Sequence, residues 1–204
     1  ALILVNENAF VGALFPATAT DTSTVIGAAE NSGDIRTRDI STFLFNNVFL
    51  FSGTPANCCV IGFHTYDTEP GAAANGWKEK RYVVAYASWV SPGIFRDPTF
   101  ADVATLSHEM TETINDPFVN NGTPWYLAPN GLCQNNLETG DAIEGLPNAQ
   151  FTISLNGTNW HVQNEALLQW FAGVSPSSAI HHAYSYPDTT VLASAAVSTT
   201  VNCK

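Results

Sequence analysis

Thr99-Phe-Ala-Asp-Val-Ala-Thr-Leu-Ser-His-Glu-Met-Thr-Glu-Thr-Ile-Asn-Asp-Pro117 is the stretch on which the fold turns. It predicts an amphipathic helix. Thr99 followed three residues on by Asp102 resembles a capping box, with Asp in the place of Glu or Gln. Pro117 cannot continue a helix and disfavours helical geometry at Asp116, so the helix should close near Asn115. Val103, Leu106, Met110 and Ile114 recur at helical spacing and make an apolar stripe. His108 and Glu112 then lie one turn apart on nearly the opposite face, which the pattern points away from the core.

That spacing suits a metal ion. Residues i and i+4 of a helix bring an imidazole nitrogen and a carboxylate to one point, and the residue after the histidine projects beside them. In the His-Glu-x-x-His helix of zinc peptidases this middle Glu is the general base, which assigns Glu109 that role. Here the second histidine is Glu112, and carboxylate oxygen is an ordinary zinc donor. Its added negative charge would weaken the Lewis acid. Downstream, Glu138, Asp141 and Glu144 sit in a Gly-punctuated segment that can supply a third ligand. Asp141, beside Gly140, is the first choice and Glu138 the second. Zinc is the expected cofactor, with calcium the alternative, although calcium prefers all-oxygen sites and leaves His108 unexplained.

Composition sets the class. The 204 residues suffice for one domain with a sizeable core, 1–204, in which 118–204 could form a C-terminal subdomain. With 45% hydrophobic and 12% charged residues the chain is an ordinary globular one. A formal charge of −11 argues against nucleic acid and against anionic membranes as partners. No apolar run is long enough to span a bilayer. The chain starts at Ala1-Leu-Ile-Leu-Val without Met, which reads as a processed terminus and suggests a removed leader.

The cysteines point the same way. Cys58, Cys59, Cys133 and Cys203 permit three pairings, and adjacent cysteines rarely bond each other. The expected staple therefore joins Cys58 and Cys59 to Cys133 and Cys203, in either order. The sequons Asn121-Gly-Thr123 and Asn156-Gly-Thr158 are compatible with an extracellular glycoprotein.

Along the chain, a strand is expected near Leu2 to Val5. Thr37 to Phe51 fits either a helix or a buried strand and is assigned to a helix packed on the sheet. Cys58 to Tyr66 and Arg81 to Val90 have strand character, and the second is expected to border a groove where a peptide can add as a strand. A loop runs on to Cys133. Phe151 to Val162 reads as a hairpin turning at Asn156-Gly157, and Gln163 to Phe171 as a short helix. Trp160, Trp170 and the histidines His161, His181 and His182 are read as structural. Tyr184 and Tyr186 are noted as possible oxyanion donors.

Ser107-His-Glu-Met-Thr-Glu-Thr-Ile-Asn-Asp-Pro117 with Leu137-Glu-Thr-Gly-Asp141 resembles secreted zincin-like proteins that carry a His-Glu-x-x-Glu helix, and more distantly the plant phosphate-induced, exordium-like cell-wall family. The resemblance implies a zincin-like α/β (α+β) architecture, a mixed twisted sheet with a metal-binding helix. It also implies an extracellular location, His108 and Glu112 as ligands and Glu109 in the general-base position. The leading functional expectation is a secreted zinc-dependent hydrolase, foremost a peptidase, acting through a metal-activated water on a peptide or protein substrate. The alternative is a non-catalytic extracellular protein of the same fold, with a structural metal and a wall-associated, protein-binding or assembly role.

Overall fold

The computed structural model describes residues 1–128, 131 and 133–196. The chain forms two compact units, 1–89 and 90–204. It is mixed α/β, with several small sheets in place of one continuous sheet. Among the described residues no helix is long and apolar enough to cross a membrane.

The first unit begins with β1 (Ile3–Asn6) and helix α1 (Glu7–Leu14), whose cap is the Asn6 side chain accepting from the Asn8 and Ala9 N–H groups. Helix α2 (Val25–Ser32) starts from a Thr24 cap. Strands β2 (Ile40–Asn46) and β3 (Val48–Phe51) occupy the segment assigned from sequence to a helix. The correction has a non-local cause. Ile40, Phe43 and Leu44 fit either period, but β2 finds a seven-residue parallel partner in β6 (Lys80–Trp89), and Asn47 turns the chain with a positive φ of 54°.

β4 (Cys58–Val60) and β5 (Gly62–Glu69) follow. One sheet runs β1-β3-β4 and the other β2-β6-β5. β6 is buried from Tyr82 to Ser88 and is paired on both sides, so it cannot accept an added peptide strand. The edges of that sheet are β2 and β5. Leu14, Ile26 and Val84 centre the core, with Phe10, Phe43 and Phe63 against them.

The expected staple is not formed at Cys58 and Cys59. These adjacent cysteines are bonded to each other. Cys133 is disulfide-bonded as well, and Cys203 lies outside the described residues.

In the second unit, helix α3 (Ala104–Asn115) ends where Pro117 requires. Its start differs from the capping box. Thr99 turns its hydroxyl to Asp97 and Val103 precedes the helix without a side-chain cap, while Asp102 accepts from the Val103 and His161 N–H groups. β7 (Gly122–Leu127) and β8 (Cys133–Asn136) pair antiparallel, so part of the expected loop is a hairpin. β9 (Gln150–Leu155) and β10 (Thr158–Gln163) form the expected second one, with positive φ at Asn156 and Gly157 as a two-residue turn demands. Only Leu168–Phe171 of the expected 163–171 helix is helical, as α4. The residues before it make β11 (Glu165–Ala166), which pairs with β12 (Ser185–Tyr186).

β10 lies along α3. Two alternate N–H groups of the strand, those of His161 and Gln163, donate to Asp102 Oδ1 at 2.9 Å and Ser107 Oγ at 2.9 Å. His161 Nδ1 adds a 2.6 Å bond to Asp102 Oδ2, which supports its structural reading. Burial opposes ionisation of Asp102, but these hydrogen bonds hold its carboxyl below the usual carboxylate range.

Ile143, Tyr126, Trp170 and Phe171 centre the core of this unit, with Tyr126 and Trp170 edge to face at 5.3 Å. Ile143 is fully buried two residues after Asp141, so it anchors the carboxylate segment. Ile143→Ala is expected to lower unfolding free energy by about 2–5 kcal/mol, read by denaturant titration.

Candidate metal centre

Helix α3 buries the side that the sequence pattern assigned to solvent. Glu109, Glu112 and Thr113 are buried, while Ile114 of the apolar stripe is 67% exposed. What covers the polar side is the segment 138–145, which supplies hydrogen-bond donors in place of apolar surface. Glu112 Oε1 accepts from the backbone N–H groups of Gly140 and Asp141, at 3.0 and 3.2 Å. These two N–H donors fix the orientation of the Glu112 carboxylate.

Its other oxygen faces His108. The His108 Nε2 atom lies 3.2 Å from Glu112 Oε2, 3.4 Å from Asp141 Oδ1 and 4.0 Å from Glu109 Oε1. One ligand atom each from His108, Glu112 and Asp141 lies within 4.8 Å of the others, and this group could hold a metal ion. The spacing tests the fit. Ligands about 2.0–2.1 Å from one tetrahedral ion stand about 3.3 Å apart, which is the separation found from the histidine nitrogen to both carboxylates. Glu138, the second-choice ligand, is not in this group. Its Oε1 accepts from the Asn136 side chain. Glu144 is likewise outside it.

The field at the site is negative. Burial disfavours a charged His108, but Glu112, Asp141 and Glu109 outweigh it and raise the proton affinity of the ring well above the usual histidine range. The same carboxylates would attract a divalent cation. Asp141 is oriented from behind: Tyr126 donates to Gln134 Oε1 at 2.7 Å, and the Gln134 amide donates to Asp141 Oδ2. Burial, followed by the charges of Asp141, Glu138 and Glu112, pushes the Tyr126 phenol far up, so it serves as a neutral donor.

Gly140 is required by close approach. A Cβ there would stand 2.5 Å from His108 Nδ1 and 2.7 Å from both Cγ and Cε1. The glycine of Glu-x-Gly-Asp thus forms a floor on which the imidazole lies.

Two residues escaped the sequence reading. The Gln163 amide nitrogen donates to Gly140 O at 2.8 Å and lies 3.0 Å from His108 Nδ1. Both carboxylate oxygens of Glu165 are buried and, among the described residues, make no hydrogen bond of ordinary geometry, with the Thr139 side chain as the near neighbour that eases the charge. Burial pushes its carboxyl well above the usual range; His108 opposes this, and Glu112 and Glu109 add to it. Both residues lie more than 50 positions from His108, and no local spacing links them to it. The signal that could have found Gln163 is the hairpin, which returns the chain to α3. Both residues also border a cavity of about 340 Å³ lined further by Thr111, Asn115, Leu168 and Tyr186. Tyr184, by contrast, is buried and donates to Val174 O at 2.9 Å.

No protein-family model, curated protein or solved structure matches this chain.

Proposed function

We propose that the chain is a secreted, zincin-like, zinc-dependent hydrolase acting on peptides, with His108, Glu112 and Asp141 holding the metal. The observation that carries this reading is the arrangement of two carboxylate oxygens at 3.2 and 3.4 Å from His108 Nε2. A bound zinc ion supplies Lewis-acid polarisation of a carbonyl and makes water acidic enough to react near neutral pH. Glu109 follows His108 on the helix, with its carboxylate 4.0 Å from the ring nitrogen, and is the residue placed to take the proton of an attacking water. The cavity beside Gln163 and Glu165 offers a mixed polar and apolar cleft for a peptide side chain.

A structural metal in a non-catalytic extracellular protein is the second reading. It is favoured by the burial of the ligands, since the His108 and Glu112 side chains are only 12% and 4% exposed. A structural site is closed by protein groups, whereas a catalytic one keeps a position for water.

One pair of measurements separates the readings. Elemental analysis of wild type and Glu109→Gln is expected to find near one zinc per chain in both, while cleavage of a mixed peptide library falls by at least about a hundredfold in the variant. Equal zinc with no cleavage by either protein supports the structural reading. Calcium alone would reassign the site to its carboxylates, and cleavage that survives Glu109→Gln would remove that residue from the general-base role.

A further inference from the structure

The first unit carries its own set of ionisable side chains, on the face of β5 and β6 that α2 covers. Residues two apart on a strand share a face, and so do cross-strand partners. Thr65 lies opposite Val84, Asp67 opposite Tyr82 and Glu69 opposite Lys80. This face is apolar at Val84, which shares a core with Ile26 of α2, and ionisable beyond it. Glu30 stands one turn after Ile26 on the helix and reaches Asp67, where the two carboxyl groups hydrogen-bond to each other.

A carboxylate can only accept, so a hydrogen bond between two of them requires a proton. The other charged and titratable groups facing the pair are Glu69 from β5 and Lys80 and Tyr82 from β6. Lys80 Nζ donates to Glu69 Oε2 at 2.6 Å and the Tyr82 hydroxyl donates to the same oxygen at 3.4 Å, so that ammonium is committed to a third carboxylate. His64 and Tyr66, with Arg81 over the tyrosine ring at 5.5 Å, belong to the opposite face. Three features place the shared proton on Glu30. It sits in the last turn of α2, which has no basic residue to offset the negative end of the helix dipole. Its Oε1 is buried and finds no hydrogen-bond partner among the described residues. Asp67, by contrast, also accepts from the Thr68 backbone N–H. Burial first, then the charges of Asp67 and Glu69, push the Glu30 carboxyl up to about 8.

We propose that Glu30 and Asp67 form a proton-sharing clasp, which holds the last turn of α2 on β5 while the proton is present and releases it when the proton leaves. Deprotonation sets two half-buried carboxylates against each other. The helix can yield at that end, because its anchor Ile26 is fully buried whereas residues 31–34 are exposed. The folded chain holds this proton more tightly than the unfolded one. Stability therefore falls as pH climbs from the ordinary value of 4.5 toward 8 and levels off above it, where the clasp is open.

The test is a carbon-13 carboxyl titration of the intact chain from about pH 3 to 10, read together with the amide signals of residues 29–32. Glu30 is assigned through its own backbone, so the wild-type curve needs no variant to fold. Its midpoint is expected near 8, with the α2 amides moving on the same curve. In Asp67→Asn the new amide can donate to an ionised Glu30, and the proton affinity of Glu30 is expected to fall at least about tenfold. In Glu30→Gln the amide bonds Asp67 at every pH. The α2 signals should then stay still between about pH 6 and 9, and over that range the unfolding equilibrium constant should rise about tenfold less than in wild type. A Glu30 midpoint near 4.5 overturns the proposal. So does an unchanged proton affinity in Asp67→Asn, and so do α2 amides that do not follow the Glu30 titration.

Discussion

Gly140→Ala is expected to abolish high-affinity metal binding while leaving both units folded. The added methyl would sit 2.5–2.7 Å from three atoms of the His108 ring, well inside van der Waals contact. The ring cannot simply lift, because Gln163 holds its Nδ1 edge and α3 fixes its backbone. Either the imidazole swings away from Glu112 and Asp141, or the segment carrying Asp141 backs off and pulls its N–H groups from Glu112. Both routes separate the ligands. Loss of a supporting contact at a metal site typically costs 10–100-fold in affinity, and here the ligand itself is displaced, so the expected loss exceeds about a hundredfold. Overpacking should also cost about 1–3 kcal/mol of stability. Gly12→Ala is the control. It lies in α1 with nothing within 4 Å of the new methyl, and should be neutral or stabilising by up to about 1 kcal/mol. Zinc competition titration and thermal melts read both variants. Unchanged zinc affinity in Gly140→Ala would show that His108 does not lie on this glycine.

The second large effect concerns Glu165 in the metal-free protein. Burial raises its folded-state pKa well above the ordinary value of 4.5, with His108 opposing the shift. The folded chain therefore binds more protons than the unfolded chain above that value, and stability falls as pH rises through the folded pKa. The penalty is absent near pH 4.5 and grows by about 1.4 kcal/mol for each pKa unit traversed. Glu165→Gln removes the charge that would have to be buried and keeps the shape. The variant is expected to match wild type near pH 4 and to be more stable at neutral pH, by more than about 1 kcal/mol, or a few degrees in Tm. The comparison is made after exhaustive chelation. A variant less stable than wild type at neutral pH would show that an ionised Glu165 is paired in the native state.

The sequence was informative where signals were local. Pro117 ended α3 at Asn115, and Asn156-Gly157 located the β9–β10 turn. Asp141 was legible because Gly140 marks a place where chain must approach chain closely. The errors share one cause, which is that partners distant in sequence decided the outcome. Segment 40–51 became strand because β6 was there to pair with it. The apolar pattern of α3 named the wrong buried side because a carboxylate can be buried where backbone donors offset its lost hydration. The cysteine expectation is the exception to that cause, since Cys58 and Cys59, immediate neighbours in sequence, are bonded to each other. Gln163 and Glu165 reach the site only through the return of the β9–β10 hairpin, which no helical spacing encodes.

The bonds from β10 to α3 have a consequence for self-association. A two-stranded ribbon normally offers a row of unpaired backbone groups on each flank, where a strand from another molecule can attach. On the β10 flank the N–H groups of His161 and Gln163 are already occupied by Asp102 and Ser107. The helix start therefore acts as a stopper in place of a third strand. Edge-to-edge growth into an intermolecular sheet is blocked on the flank beside the metal centre, whereas among the described residues no strand pairs with the outer flank of β9.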